Sequence, residues 1–234
     1  MAPVVDEDPG GVRTFFDSVA SGWSARYRDD PAMAARLVRF ATALEGRVRP
    51  GAKVLDFGCG AGVLARWLAL RGYEVRGCDV SSEMIGAARR EAEGAAIQWD
   101  ACEEGRAPYP DGAFGAVVCS SVLEYVADLS GTLGELRRVL VPGGWLIATV
   151  PDTRDPYRWW EAVLQRFLRF AFLSSRFQRS RWAEGVSYLR LSRNRLSPRE
   201  WERCLRARGF RTDPVGPCED PLLMLCARRE RGGE

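Results

Sequence analysis

The stretch VLDFGCGAG at residues 54–62 constrains the fold more than any other part of the chain. An apolar run carrying one acid, Val54-Leu55-Asp56-Phe57, passes directly into glycines at 58, 60 and 62. The run reads as a buried strand, and glycines at alternate positions let the backbone turn where side chains would collide. The rhythm then repeats. Strand-like YEVRGCDV, AIQWDAC, FGAVVCSSVL and WLIATVP alternate with helix-like GVLARWLALRG, SSEMIGAARREAEG and LSGTLGELRRVLVPGG. This alternation implies right-handed βαβ units and a mostly parallel sheet. Local signals agree with it. Val63, Leu64, Trp67, Leu68 and Leu70 recur at helical spacing and Gly72 closes the run, while Ser81 and Ser82 offer an N-cap to the next helix. LSPREWERCLRARGF has a serine cap, proline at the first helical position and a closing glycine, and LLMLCARR reads as a buried final strand.

The glycine loop must hold something, and its charge narrows the choice. A dinucleotide fingerprint needs glycine at position 63, where the chain has valine, and a Walker-type phosphate loop needs a lysine that is absent here. Asp56, at the end of the first strand, repels a pyrophosphate and attracts an ammonium or sulfonium group. The alternative reading of Asp56 is a helix cap, and the same holds for Asp79 ahead of VSSE.

Composition excludes several classes. At 234 residues the chain fits one domain with an insertion, and no apolar run approaches the roughly 20 residues of a bilayer span. The acidic opening MAPVVDEDPGG lacks the basic start and apolar middle of a secretory signal and reads as a frayed tail, so a cytoplasmic location is expected. Seven cysteines (59, 78, 102, 119, 204, 218 and 226) without a CxxC pair read as buried thiols in a reducing compartment. The chain has no histidine, which removes histidine-ligated metals and every histidine base; no metal is expected.

Asp-x-Gly-x-Gly-x-Gly after an apolar strand resembles the cofactor loop of class I S-adenosylmethionine-dependent methyltransferases. The resemblance implies a Rossmann-like, doubly wound, seven-stranded, mostly parallel α/β sheet with an N-terminal helical cap and a helical lid insertion. It divides the chain into a tail and cap (1–50), a donor-binding core (51–152), an arginine- and aromatic-rich lid (153–196) and a closing helix with final strands (197–234). It also implies S-adenosyl-L-methionine as cofactor, with S-adenosyl-L-homocysteine as product, and donor contacts from Asp56, Gly58, Cys59, Gly60, Asp79, Val80, Met84, Asp100, Ala101, Cys102 and Ser120. In the family the acid at Asp79 receives the ribose hydroxyls, an apolar residue at Met84 lies against adenine, and Asp100 receives the adenine amino group. FGAVVCSSVLEYV is similar to the fourth strand beneath the methyl, RRVLVPGGWLIATVP to the helix, turn and fifth strand, and FFDSVASGWSARY to a helix folded over the donor.

An activated methyl needs chiefly a nucleophile held in line with the breaking bond. For an acceptor hydroxyl of high pKa a base helps, and without histidine the choices are Glu124 and Tyr125 after the fourth strand and Tyr27 in the cap. Many relatives carry histidine where Tyr125 stands. A tyrosine packed in a wall is the competing reading for each. Tyr27, Tyr157, Trp160 and Arg181 are placed at the acceptor. In YRWWEAVLQRFLRFAFL, Arg158, Glu161, Gln165 and Arg169 form one polar stripe and Trp159, Trp160, Val163, Leu164, Phe167, Leu168 and Phe170 cover most of the circumference. Three partners compete for that face across residues 156–182: the acceptor pocket, a membrane surface, or a second subunit in a homodimer. Nucleic acid is disfavoured, because the fourth strand lacks the Asp/Asn-Pro-Pro-aromatic signature and no Pro-Cys nucleophile is present. The expectation is methyl transfer to a small, partly apolar acceptor, on oxygen first, nitrogen second and carbon third. Its rivals are a lipid or quinone headgroup acceptor at a membrane surface, and a non-catalytic donor-binding module.

Overall fold

The computed structural model describes residues 10–92, 96–155, 191–213 and 222–231. Three helices lead the chain: α1 (Gly10–Val19), α2 (Ala25–Asp29) and α3 (Pro31–Leu44). Asp30 caps α3 by accepting the Ala32 N–H at 2.9 Å, and Pro31 starts the helix without wasting a donor. The core then runs β1 (Lys53–Phe57), α4 (Val63–Ala69), β2 (Glu74–Asp79), α5 (Ser82–Glu91), β3 (Gln98–Ala101), β4 (Phe114–Ser120), α6 (Leu129–Val139) and β5 (Leu140–Pro151). It closes with α7 (Pro198–Ala207), β6 (Phe210–Thr212) and β7 (Leu222–Arg229).

The strands form one seven-stranded sheet in the order β3-β2-β1-β4-β5-β7-β6, parallel except for β7, which runs antiparallel to both β5 and β6. The last strand in sequence is therefore an interior strand in space. The expected Pro-Gly-Gly turn lies within β5, where the β4–β5 register shifts between Phe114 and Ala116. There a side chain on Gly144 would come within 3.0 Å of the Gly115 carbonyl.

Alternate residues of the strands feed two apolar layers, as the period of 2 requires. Leu55, Val117, Cys119, Leu146 and Ala148 pack under Leu133 and Leu136 of α6 and Trp201 and Leu205 of α7. Val54, Ala116, Val118 and Ile147 pack under Phe40 and Leu44 of α3, Leu64 and Leu68 of α4, and Ile85 of α5. A third, smaller cluster joins the cap to the core: Phe16, Val19, Ala20 and Trp23 cover Ala61, Met84 and Ala87. Among the described residues no helix is long and apolar enough to cross a membrane. The expected lid helix at 156–182 lies outside the described residues.

Candidate active site

The sheet order reverses between β1 and β4, and the carboxyl ends of the strands at such a point leave a crevice. Here that crevice is a cavity open at its mouth. Its floor is Asp56, Gly58, Cys59 and Gly60 from β1 and its loop, Asp79 and Val80 from β2, and Ser120, Ser121 and Val122 from β4. The cap supplies Val12, Phe16, Trp23 and Tyr27 as a roof.

The glycine loop is shaped by two requirements. At Gly60 the backbone is left-handed (φ 52°), and a Cβ would lie 3.1 Å from Nε1 of Trp23, so the indole rests directly on the loop. At Gly62 (φ 74°) a Cβ would meet the Trp99 ring at 2.3 Å. Glycine at 62 thus gives α4 its close start, the task a dinucleotide loop assigns to the residue one place later.

Asp79 braces this loop. Its Oδ2 accepts the Gly60 N–H at 2.8 Å and its Oδ1 accepts the Ser81 N–H at 2.9 Å. Each carboxylate oxygen keeps a second lone pair, so both can also accept a hydroxyl. Burial pushes its carboxyl above the ordinary range, partly offset by the N–H groups of Ser81 and Gly60. Asp56 is buried as well, and its Oδ2 has no hydrogen-bond partner. Desolvation, followed by the nearby Asp79 charge, lifts its carboxyl to about 7. Asp56 is therefore only partly ionised near neutrality. The repulsion of anions expected from sequence is weaker than a full charge gives, and a cation placed against Oδ2 restores the ionised form.

Asp17 of α1 ties the cap to the β2–α5 side of the cavity. Its Oδ1 accepts from Ser81 Oγ at 2.5 Å and from the Glu83 N–H at 3.5 Å, so a carboxylate sits at the N-terminus of α5. Ser81 Oγ in turn accepts the Met84 N–H at 3.0 Å. On the β4 side, Ser121 is held in a left-handed conformation (φ 55°) by its N–H, which donates to Thr149 Oγ1 at 3.0 Å. A non-glycine residue in that region stores strain of a kind found at functional sites.

Of the donor contacts expected from sequence, Asp56, Gly58, Cys59, Gly60, Asp79, Val80, Met84, Cys102 and Ser120 all line the cavity, as do Tyr27 and Tyr125. Asp100 and Ala101 do not. The Asp100 carboxylate instead accepts from the Tyr109 hydroxyl at 2.9 Å, and Ala101 is exposed. Glu124 is also absent from the wall: it is buried, its Oε2 accepts from Ser192 Oγ at 3.2 Å, and its carbonyl accepts the N–H groups of Arg193 and Asn194. These contacts hold residues 192–194 against the segment that follows β4. Tyr157, Trp160 and Arg181 lie outside the described residues. Sequence reasoning missed Phe16, Asp17 and Trp23, although all three fall inside the segment read as a cap.

A crevice at a parallel-sheet switch point, braced by one acid at the end of β2 and carrying a second at the end of β1, is that of a nucleoside-binding Rossmann-like protein. Residues 55–148 match the methyltransferase domain family. The chain is 36% identical over 169 residues to a demethylmenaquinone methyltransferase of Beutenbergia cavernae, covering 70% of this chain and 69% of that protein. It is 27% identical over 146 residues to a ubiquinone biosynthesis O-methyltransferase of Burkholderia pseudomallei, covering 61% of this chain and 63% of that one. A solved S-adenosylmethionine-dependent methyltransferase from Aquifex aeolicus shares the fold, with a TM-score of 0.64 at 18% identity over 91% of this chain and 98% of its own. The chain belongs to the class I S-adenosylmethionine-dependent methyltransferases.

Proposed function

We propose that this protein transfers a methyl group from S-adenosylmethionine to a small, partly apolar acceptor, with an oxygen of a hydroxylated ring of the quinone-precursor class as first choice, nitrogen second and carbon third. The observation that carries this reading is the joint presence, in one cavity, of Asp79 braced on the glycine loop and of Asp56 with a buried, unpartnered Oδ2. These residues fit the donor. Asp79 has lone pairs free for a vicinal diol, Asp56 offers an anion to a cationic group, and Met84 provides an apolar surface. When bound, S-adenosylmethionine supplies a methyl group already activated by its positive sulfur.

The chain's own residues then have positioning work. Phe16, Trp23, Tyr27, Tyr125, Val122 and Val126 exclude water and give an aromatic and aliphatic wall, suited to a flat ring. Phe16 stacks edge-on against Tyr125 at 5.6 Å and against Trp23 at 5.6 Å, so the roof and the β4 wall form one aromatic surface. The names of the two relatives support a ring acceptor. Incubation with S-adenosylmethionine and a panel of hydroxylated benzene and naphthalene rings tests the proposal, with S-adenosylhomocysteine release as readout. Turnover with at least one ring is expected. Tight donor binding without conversion of any acceptor would favour the non-catalytic binding module instead.

A further inference from the structure

Tyr27, Ser120 and Ser121 line the cavity side by side, and burial pushes the Tyr27 phenol above its ordinary value while Arg36 of α3 and Ser120 at the end of β4 offset part of that rise. Arg36 Nη1 donates to Ser121 Oγ at 3.3 Å, while its Nε is buried with no hydrogen-bond partner. Among the described residues Arg36 has no carboxylate in ion-pair contact. Ser120 Oγ lies close enough to the phenol to interact with it, yet no hydrogen bond of normal geometry reaches it. Leaving a buried guanidinium N–H and a buried hydroxyl unmatched costs about 1–3 kcal/mol each. Ser120 lines the cavity and Arg36 reaches its wall through Ser121, whose backbone is itself strained. An oxyanion entering here would receive the hydrogen bonds that the protein alone does not complete.

We infer that Arg36, with Tyr27 and Ser120, binds the acceptor's hydroxyl as its oxyanion, and so activates the nucleophile by charge in a chain that has no histidine to remove the proton. This deepens the methyl-transfer reading and rests on it for the fate of the oxyanion. The hydroxyl proton leaves to solvent as the ring binds. The oxygen lone pair then forms the bond to the methyl carbon, the sulfur–carbon pair remains on sulfur, and a methyl ether and a neutral thioether result. Three carboxylates on the cavity wall oppose an anion, Asp56, Asp79 and Glu104; Asp79 is engaged by the Gly60 and Ser81 N–H groups. Asp56 is partly neutral when the cavity is empty and is matched by the donor's positive charge when the donor is bound. Glu104 is engaged through its Oε1, which accepts the Ala127 N–H at 2.7 Å. Arg36 is the cation adjoining the phenol, and an adjacent guanidinium commonly lowers an acid's pKa by about 1–3 units.

The test uses the full chain saturated with S-adenosylhomocysteine, and 4-nitrophenol as a probe whose ionised form is read by its absorbance. The bound probe is expected to ionise about one pH unit lower than in water, giving about tenfold more phenolate at a fixed pH. Arg36→Met should abolish the shift and Arg36→Lys should keep part of it, with calorimetric affinity for S-adenosylhomocysteine unchanged and a cooperative thermal melt retained in both. Three results would overturn the inference: a bound probe that titrates as in water, an equal shift in Arg36→Met, or no binding of the probe at millimolar concentration. Failure of the wild-type chain to bind S-adenosylhomocysteine, with the phenolate shift intact, would instead sink the methyl-transfer reading and spare the oxyanion site.

Discussion

Replacing Asp56 by asparagine keeps the shape of the side chain and removes a charge that the folded protein holds at a cost. Its carboxyl moves from the ordinary 3.8 to about 7 on folding. At ~1.4 kcal/mol per pH unit, that difference is about 4 kcal/mol. The sign follows from proton counting. Between pH ~4 and ~7 the native state keeps a proton that the unfolded chain has released, so the contribution of Asp56 to stability falls as pH rises through that window and stays low above it. The asparagine side chain does not titrate. Its amide brings N–H groups to a position where Oδ2 had no partner, a penalty of about 1–3 kcal/mol that is the same at every pH. The difference in stability between Asp56→Asn and wild type should therefore shift in favour of the variant by up to about 4 kcal/mol from pH 4 to pH 8, roughly 10 °C in melting temperature for a chain of this size. Donor binding should respond the opposite way: wild-type affinity for S-adenosylmethionine rises toward pH 8 as Asp56 ionises, whereas the variant binds weakly and with little pH dependence. Parallel melts and calorimetry at four pH values settle both. A melting difference that stays constant from pH 4 to pH 8 would refute the buried-charge account, and unchanged donor affinity in the variant would refute its role in binding a cation.

Asp79→Ala removes the acceptor of the Gly60 and Ser81 N–H groups together with the group offered to the ribose. Charged hydrogen bonds of this kind contribute about 1.5–3 kcal/mol each, so calorimetry with S-adenosylhomocysteine should show a loss of roughly 100-fold or more, and an unchanged affinity would remove Asp79 from the site. Gly62→Ala places a methyl 2.3 Å from the Trp99 ring at a positive φ and should lower the stability measured by urea unfolding by roughly 2–4 kcal/mol. A loss within about 0.5 kcal/mol, the range of an unstrained surface change, would show that Trp99 moves aside freely.

The cavity floor was legible in the sequence because it is built from local pattern. Asp56 and Asp79 end strands whose apolar residues announce them, and the glycines at 58, 60 and 62 stand where the backbone must turn left-handed. Ser81 was read as a cap for the same reason, and it caps α5 through Met84. What local pattern does not encode is where a side chain turns once a second layer packs on it. Asp100 lies at the end of its strand much as Asp79 does, yet Tyr109, nine residues further on, takes up its carboxylate. Glu124 is adjacent to Tyr125 in sequence, but its carboxylate accepts from Ser192, 68 residues further on. Asp17 and Trp23 escaped notice because their partners, Ser81 and Gly60, are distant along the chain, and neither residue carries a spacing that points there. The interior position of β7 was hidden likewise, since LLMLCARR reads the same at an edge as between two strands.

The roof over the cavity also imposes an order on biosynthesis. Phe16 and Trp23 leave the ribosome long before Met84 and Ala87, the surface they come to cover, and Asp17 must wait for Ser81. Until β2 has paired and α5 has formed, two large aromatic side chains lack their apolar counterpart, a period in which nascent chains are prone to stick to one another. Weakening that late junction should therefore register first as poor soluble yield in a growing cell, ahead of any change in the melting curve of the protein that survives.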